Sequence, residues 1–307
     1  MEKSLRIVFL GTPEFAVESL RVLVENKVDI VAVVTAPDKP KGRGKQLGTT
    51  PVKDYAVEQN LPVLQPTNLK SPVFLEELAS YKADLQIVVA FRMLPEVVWS
   101  MPPLGTFNLH ASLLPQYRGA APINWAIING EKETGVTTFF LKHEIDTGKI
   151  IFQEKEPIHS DDTVGSLYDR LMKKGGQLVL QTVQAIEGGD YPEEEQVANT
   201  TLKHAPKIFR EDCEIDWNRS SEEIRNFVRG LNPYPGAWTF FGYLNFKIFE
   251  VKHSKDTTRK SIGEVDTDNK TFVRIRTNDG TVEVTDLQLQ GKKRMRVEDF
   301  LRGFNFD

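Results

Sequence analysis

Asn108 and His110 stand two residues apart in the stretch FNLHASLLPQYRGAAP, which runs from Phe107 to Pro122. In an extended segment alternate side chains point to the same face, so the amide and the imidazole share one opening. An amide donates hydrogen bonds, and an imidazole also transfers protons near neutral pH. From these three residues alone, a half-buried strand whose polar face meets water is the favoured interpretation. The alternative is a polar catalytic site.

The elements around this pair predict an open α/β sheet. Residues 5–10 (LRIVFL) form an apolar run that is typical of a strand buried on both faces, and an amphipathic helix follows as far as Glu25. The cycle then repeats, with strands at 29–35, 84–90 and 105–110 and helices near 51–59 and 121–129. Such sheets bind ligands beyond the carboxyl ends of their strands, which is where Asn108 and His110 lie. The fold class is a Rossmann-like, mostly parallel sheet.

Two kinds of site are excluded by pattern. The first turn, Gly11 to Glu14, lacks the G-x-G-x-x-G spacing of a dinucleotide site, so neither a nicotinamide nor a flavin is predicted there. No spacing of histidine, cysteine and acidic residues predicts a metal site.

The chain divides into two predicted domains. A long amphipathic helix is predicted after residue 160, with its N-cap near Asp162 or Thr163 and its end at Gly188 and Gly189, and it closes a catalytic domain over residues 1–202. The polar stretch 203–217 is interpreted as a linker. A second domain over residues 218–307 is predicted to be a small OB-like β barrel, because short strand-like pieces follow a helix at 221–230. These pieces lie at 237–250, 260–265, 271–277 and 281–288.

Composition narrows the class of protein. The 307 residues are 40% hydrophobic and 27% charged, which is ordinary for a globular protein. No stretch approaches the roughly 20 apolar residues of a membrane helix, and the apolar start breaks at Gly11, too early for a secretory signal. The lone Cys213 agrees with a reducing compartment. We expect a cytoplasmic protein with neither a membrane partner nor an obligate protein partner. Because the net charge is −4, any nucleic acid must be bound by a local patch.

Four short motifs follow one another after the predicted strand. They are Asn-x-His at 108–110, Ser-Leu-Leu-Pro at 112–115, Tyr-Arg-Gly at 117–119 and Asp-Thr-Gly at 146–148. In this order they resemble the formyltransferases that use 10-formyltetrahydrofolate. The resemblance covers essentially the whole chain, is strongest over residues 1–165 and weakens in the C-terminal third. It implies that 10-formyltetrahydrofolate is the formyl donor and that no metal is needed.

The resemblance also implies roles for single residues. Asn108, His110 and Asp146 fall on the catalytic positions of the family. The folate-binding positions fall on the loop after the strand, at Ser112, Leu113, Leu114 and Pro115. Asn108 and His110 are then better explained as a catalytic pair than as the solvated face of a strand.

Formyl transfer requires residues of these three types. Attack by an amine on the formyl carbon gives a tetrahedral carbon that bears a negative oxygen, which hydrogen-bond donors stabilise. Asn108 donates through its amide and protonated His110 donates more strongly, while a nearby Asp146 carboxylate favours the charged imidazole. Asp146 is also expected to accept the proton that the amine loses, directly or through water.

One segment departs from the family pattern. The family usually has Val-Val-Ala-Tyr-Gly-x-Ile-Leu-Pro along the folate pocket, whereas residues 88–95 are VVAFRMLP, one residue shorter and with Arg92 in place of glycine. A buried guanidinium needs a hydrogen-bond partner or water, whereas glycine lets a ligand approach the backbone. The resemblance therefore predicts no particular pterin contacts for residues 90–94.

The acceptor amine has to be inferred outside the shared motifs. Related enzymes act on glycinamide ribonucleotide, on amino sugar nucleotides and on methionyl-tRNA, and the first group is typically a single domain. The loop 37–53, PDKPKGRGKQLGTTPVK, resembles the insertion with which the methionyl-tRNA branch grips the acceptor arm. The residues of this loop predicted to bind tRNA are Lys39, Lys41, Arg43 and Lys45.

A second cationic cluster lies near the C-terminus, where GKKRMRVEDF supplies Lys292, Lys293 and Arg294. Small β barrels commonly present such residues to nucleic acids, and cations bind phosphate oxygens with little base selectivity. The resemblance implies that initiator methionyl-tRNA is the partner and the formyl acceptor. An amino sugar nucleotide is the alternative acceptor. A catalytically silent RNA-binding protein is a third hypothesis, against which the intact catalytic positions argue.

Overall fold

The computed structural model describes residues 4–41, 46–198 and 201–306. The chain forms two compact units, each built from three segments. The first unit comprises residues 1–118, 135–156 and 169–203, and the second comprises residues 119–134, 157–168 and 204–307. This division differs from the single boundary expected at residue 202, because two segments of the N-terminal half belong to the second unit.

Strands and helices alternate through the first two thirds of the chain. Their bounds are β1 (Ile7–Gly11), α1 (Glu14–Glu25), β2 (Ile30–Val34), β3 (Lys39–Lys41), β4 (Gln46–Gly48), α2 (Pro51–Glu58), β5 (Val63–Leu64), α3 (Pro72–Ser80), β6 (Leu85–Val89), α4 (Glu96–Trp99), β7 (Thr106–His110), β8 (Arg118–Gly119), α5 (Pro122–Ile128), β9 (Glu133–Phe140), β10 (Ile150–Pro157) and α6 (Val164–Gly188). The predicted strands and helices lie within about two residues of these bounds, the variation expected at element ends. Strands β9 and β10 and helix α3 were not predicted.

Seven strands form the central sheet, in the order β10-β9-β7-β6-β1-β2-β5. Strand β1 pairs in parallel with β2 and β6, β2 with β5, and β6 with β7, whereas β9 is antiparallel to β7. Every residue of β1 and β6 is buried, which explains their continuous apolar sequences. The predicted open, mostly parallel sheet is confirmed, and its β9 edge is antiparallel.

Packing against α6 decides which face of β7 carries polar groups. Leu109 is 3% exposed, and a Cβ placed on Gly175 of α6 would lie 2.7 Å from Leu109 Cδ2. A side chain at position 175 would therefore have to displace the buried side chain of Leu109. Burying a leucine contributes about 1.5–3 kcal/mol, so this contact fixes the strand register firmly. Because side chains alternate, Asn108 and His110 must project from the opposite face.

The second unit is an antiparallel β domain. Its C-terminal elements are β11 (His204–Ala205), a short 3-10 helix (Glu211–Cys213), α7 (Ser221–Gly230), β12 (Ala237–Phe241), β13 (Leu244–His253), β14 (Val265–Thr267), β15 (Val273–Arg276), β16 (Thr281–Leu289), β17 (Met295–Arg296) and α8 (Val297–Leu301). The sheet order is β12-β13-β16-β15-β14, with β17 paired to β16. This half-barrel confirms the predicted fold class of an α/β domain followed by a small OB-like β domain.

Residues 204–217 are built into the second unit instead of forming a separate linker. Cys213, Ile215 and Trp217 are buried in its hydrophobic core, and the Ile215 N–H donates to the Trp238 carbonyl at 2.8 Å. These three apolar residues alternate with acidic ones, which is the pattern of a half-buried extended segment. Burial raises the pKa of the Cys213 thiol, so this cysteine is an inert core residue.

Candidate active site

His110 ends β7 with its ring held in one orientation. Its Nε2 lies 2.8 Å from the backbone carbonyl oxygen of Tyr117, and the residue is 7% exposed. A carbonyl oxygen only accepts hydrogen bonds, so Nε2 carries the hydrogen. Any gain or loss of a proton by the imidazole therefore takes place at Nδ1.

Asp146 faces that second nitrogen. Its Oδ2 lies 3.9 Å from His110 Nδ1, and the two side chains are 14% and 8% exposed. This distance exceeds the range of about 2.7–3.2 Å for a hydrogen bond, so the two groups face each other without a direct bond, and they attract through charge when the imidazole is protonated. A substrate atom beside the gap can lie within hydrogen-bonding distance of both. Because both groups are largely buried, salt screens their interaction less than it screens a surface pair.

The Asp-Thr-Gly turn has a steric reason for its last residue. A Cβ on Gly148 would lie 1.5 Å from the carbonyl oxygen of Phe140, so the chain passes too close to β9 for any side chain. Within the same turn Asp146 adopts a positive φ of 55°, which few non-glycine residues adopt. The turn is thus fixed in shape by close contact and an unusual backbone conformation.

The loop that follows β7 is clamped by β9 and β10. Thr137 Oγ1 accepts from the Leu114 N–H at 3.2 Å and donates to the Ser112 carbonyl at 2.6 Å. Gln153 Nε2 donates to the Leu114 carbonyl at 2.8 Å and to Thr137 Oγ1 at 3.0 Å. The fully buried Ser112 hydroxyl donates to the Gln116 carbonyl, so it serves the loop itself. Leu113 and Pro115 are half-buried and leave part of their surface to a ligand.

Thr137 and Gln153 were missed in the sequence analysis. Both lie on strands, and both reach the loop across the sheet from positions far along the chain. The apolar context of Thr137, in GVTTFF, predicts only a buried strand. Their role becomes visible only when the register of β9 and β10 is known.

Arg92, which replaces the family's glycine, is partnered by backbone. Its guanidinium donates to the carbonyls of Pro66 and Thr67 and lies 5.6 Å from the Phe91 ring centroid. The segment thus uses a long side chain to bridge to a neighbouring loop. The structure therefore shows Arg92 bonded to two carbonyls of that loop, where a glycine would leave the backbone open to a ligand.

The predicted tRNA-binding loop is only partly described. Lys39 is exposed at the start of β3, whereas the side chain of Lys41 and the whole of Arg43 and Lys45 lie outside the described residues. At the base of the loop, Asp38 accepts hydrogen bonds from Lys53 and from Gln65. The bond from Lys53 holds the pKa of Asp38 below its ordinary value. The acidic residue of this basic stretch is therefore neutralised locally.

The C-terminal cationic cluster separates into two kinds of residue. Lys292 and Lys293 are exposed in the turn between β16 and β17. Arg294 forms two hydrogen bonds of 2.9 Å to the carboxylate of Asp286, and its guanidinium lies 4.2 Å from the Phe249 ring centroid. These contacts give Arg294 a structural role within the second unit. Its role in binding tRNA stays a prediction.

A cavity of about 700 Å³ in the second unit brings together cations, aromatic rings and amides. Its lining includes Lys207, Phe209, Arg210, Tyr234, Trp238 and Lys247. Three of these six residues come from the stretch 203–217, which was predicted to be a linker. A nucleotide offers the matching chemistry, since bases stack on aromatic rings and phosphates bind cations.

Two kinds of feature, metal-binding clusters and membrane-spanning helices, are absent from the described residues. No group of three or more histidine, cysteine, aspartate or glutamate side chains in the described part of the chain is arranged to hold a metal ion. Among the same residues, no helix is long and apolar enough to cross a membrane.

Comparison with known families matches both parts of the chain. Residues 5–183 match the model described as formyl transferase, and residues 207–305 match the model of the formyl transferase C-terminal domain. The first match contains Asn108, His110, Asp146 and the clamped loop. The chain belongs to the formyl transferase family, whose members use a folate-derived formyl donor.

Relatives define the branch of the family. The methionyl-tRNA formyltransferase of Bacteroides thetaiotaomicron is 54% identical over 311 residues, which cover 99% of this chain and 97% of that protein. Identity at this level over both full lengths places the chain among the methionyl-tRNA formyltransferases.

More distant solved structures share the fold. One is WlaRD, a sugar 3N-formyl transferase determined in the presence of dTDP and 5-N-formyl-THF, with a TM-score of 0.68 and 22% identity over 95% of this chain and 100% of that chain. Another is HypX from Aquifex aeolicus in complex with tetrahydrofolic acid, with a TM-score of 0.64 and 22% identity over 98% of this chain and 47% of that chain. At such low identity these structures bear on the fold alone.

Proposed function

We propose that this enzyme transfers the formyl group of 10-formyltetrahydrofolate to the amino group of initiator methionyl-tRNA, with Asn108, His110 and Asp146 as its catalytic residues. One observation carries the proposal. His110 Nδ1 and Asp146 Oδ2 lie 3.9 Å apart in a buried polar site at the carboxyl end of β7. The names of the full-length relatives support methionyl-tRNA as the acceptor.

The side chains of this site account for each bond and each proton in the proposed reaction. The methionyl nitrogen attacks the formyl carbon, and the carbonyl electron pair moves to oxygen, where the Asn108 amide and the Nδ1–H of charged His110 donate hydrogen bonds. Asp146 takes the proton that the nitrogen loses. When the tetrahedral carbon collapses, its bond to the folate nitrogen breaks, and that nitrogen takes the proton from Asp146, directly or through water, which regenerates the carboxylate. The carbonyl of Tyr117 accepts from His110 Nε2–H, which leaves Nδ1 as the nitrogen that faces the reacting oxygen.

The folate is proposed to bind against residues 112–115. The Thr137 and Gln153 hydrogen bonds hold the backbone of this loop, so its remaining polar groups keep fixed positions beside β7. Leu113 and Pro115 keep exposed apolar surface for the aromatic donor. Such pre-organisation lowers the entropy cost of placing the formyl carbon next to His110.

The tRNA is proposed to bind the basic loop and the C-terminal cluster. Phosphate contacts are assigned to Lys39, Lys41, Arg43, Lys45, Lys292 and Lys293. We assign Arg294 mainly to holding its turn, because Asp286 accepts from its Nε and Nη2 and Asn232 accepts from its Nη1. Since the contacts are ionic, the affinity for tRNA is expected to fall with rising salt.

One assay tests the acceptor and the reaction together. The enzyme is given 10-formyltetrahydrofolate with a labelled formyl group and, in separate reactions, methionyl-tRNA, a dTDP-amino sugar or no acceptor. We expect label on methionyl-tRNA alone. Label on the sugar nucleotide would select the alternative acceptor. Tight tRNA binding without transfer to any acceptor would select a silent RNA-binding protein.

A further inference from the structure

Gln196 connects two segments of the active site through a single side-chain amide. Its Oε1 accepts from Arg118 Nε at 3.1 Å and from Arg118 Nη2 at 2.6 Å. Its Nε2 donates to the carbonyls of Asp146 at 2.9 Å and Gly148 at 2.8 Å. Both ends of the carboxamide are therefore engaged, and its orientation is determined by its partners.

The backbone around Gln196 is anchored nearby. Glu194 and Ile150 exchange two backbone hydrogen bonds, of 2.8 and 2.9 Å, which join this segment to the start of β10. The anchor brings the Gln196 side chain beneath the turn 146–148. Gln196 is half-buried, although the residues around it are mostly exposed. A surface segment thus places one polar side chain inward.

Arg118 links this contact to His110. The residue before it, Tyr117, supplies the carbonyl that holds His110 Nε2 at 2.8 Å. One dipeptide, residues 117–118, therefore orients the imidazole directly and orients the Asp146 turn through Gln196. The planar fork of arginine suits this task, since it donates twice to one amide oxygen.

We propose that Gln196 is a positioning residue, whose carboxamide, oriented by Arg118, fixes the turn 146–148 so that the Asp146 carboxylate faces His110 Nδ1. The inference rests on the catalytic roles proposed above for Asp146 and His110. Asp146 has a positive φ, so its backbone needs an external hold, which two carbonyl hydrogen bonds supply. A displacement of about 1 Å at a reacting group can lower a rate by about 100-fold.

If Gln196 had a purely structural role, its function would be to accept the hydrogen bonds of Arg118. Glutamate distinguishes the two roles. Gln196→Glu keeps an acceptor for the guanidinium and strengthens that contact, but it places a carboxylate oxygen against the carbonyls of Asp146 and Gly148. Two acceptors cannot share a hydrogen bond, so the turn loses its hold. The positioning role therefore predicts that glutamate is as harmful as alanine.

The test compares kcat, both KM values and the melting temperature of Gln196→Ala, Gln196→Glu and a control, Glu193→Ala. Glu193 lies in the same segment, and its carboxylate pairs at 2.9 Å with the side-chain amine of Lys149, the residue after the turn, so it anchors the segment without bonding a turn carbonyl. Both Gln196 variants should lose about 10- to 100-fold in kcat, with both KM values and the melting temperature close to those of the wild type. Glu193→Ala should keep wild-type kcat. Wild-type kcat in Gln196→Glu, or a change in KM alone, would overturn the inference.

A double variant separates this inference from the proposed mechanism. If Gln196 acts through Asp146, adding Gln196→Ala to Asp146→Ala should lower the single-turnover rate no further. A multiplicative loss would overturn the inference and leave the role of Asp146 intact. Wild-type turnover in Asp146→Ala alone would overturn the catalytic role proposed for Asp146 and, with it, the inference.

Discussion

The proposed catalytic edge of the first unit and the cationic turn of the second unit hold their polar groups in different ways. At the end of β7, His110 is held by a backbone carbonyl and the next loop by Thr137 and Gln153. In the turn between β16 and β17, Lys292 and Lys293 extend into solvent. Hydrogen-bond donors that are already held in place stabilise the charge of a transition state most effectively, whereas binding a phosphate needs only a positive charge within reach. Side chains held in one position are therefore the ones expected to act in the reaction, and exposed lysines are the ones expected to contribute affinity for tRNA.

Removing a fixed catalytic group should have the largest effect. We expect His110→Ala and Asp146→Ala each to lower kcat by about 10²- to 10⁴-fold, because each removes a donor or a base that acts in the transition state. Steady-state kinetics with methionyl-tRNA and 10-formyltetrahydrofolate measures the loss. His143→Ala is the matched control, since His143 is 73% exposed and pairs with Glu96 at the surface. Near wild-type kcat in a folded Asp146→Ala protein would contradict the role of the carboxylate.

Loosening the clamp on the loop should have the next largest effect. Thr137→Val keeps the shape but leaves the Leu114 N–H and the Ser112 carbonyl without their hydroxyl partner, which should cost about 1–3 kcal/mol of unfolding free energy. It should also weaken folate binding, measured by calorimetry. Thr138→Val is the control, because its hydroxyl is equally buried but bonds Thr182. Equal folate affinity in the two variants would contradict the clamp.

Local pattern predicted part of this site. Alternation along β7 placed Asn108 and His110 on one face, and the contact between Leu109 and Gly175 explains why the other face is apolar. The strand and helix pattern gave the fold class, because buried parallel strands have distinctive apolar runs. In each case the information lies within a few residues of the feature it predicts.

What could not be predicted depends on contacts between distant segments. Thr137, Gln153 and Gln196 reach the site only because β9, β10 and the segment after α6 lie side by side, and no local pattern encodes that register. The supposed linker is a different case. The alternation of Cys213, Ile215 and Trp217 was visible in the sequence, but the polar residues between them obscured it.

Within the cationic turn, the one fixed residue should matter for stability. Asp286→Ala should lower the unfolding free energy by about 1 kcal/mol, because it removes two hydrogen bonds of Arg294, whose side chain is 40% exposed and partly screened by solvent. Denaturant unfolding measures this loss. Arg274 pairs with Asp256 elsewhere in the same unit, and Asp256 is 66% exposed, so Asp256→Ala gives the cost of losing an exposed carboxylate against which the loss of the buried Asp286 is compared. Unchanged stability in Asp286→Ala would contradict the structural role of Arg294.

The exposed lysines should give the smallest effect on the protein itself. Lys292→Ala with Lys293→Ala should change stability by no more than about 0.5 kcal/mol, as is usual for exposed positions. If both lysines bind phosphates, the affinity for methionyl-tRNA should fall, and the slope of log affinity against log salt should flatten by about 0.7–0.9 for each phosphate that the variant no longer binds. Folate affinity and single-turnover rate at saturating tRNA should stay at wild-type values, because no fixed catalytic group has moved. A salt series of tRNA binding, read beside that rate, tests the contrast directly. A lower single-turnover rate at saturating tRNA, with an unchanged salt slope of tRNA binding, would mean that this turn helps to position the acceptor. Exposure of a lysine would then not indicate a contribution to tRNA affinity in this enzyme.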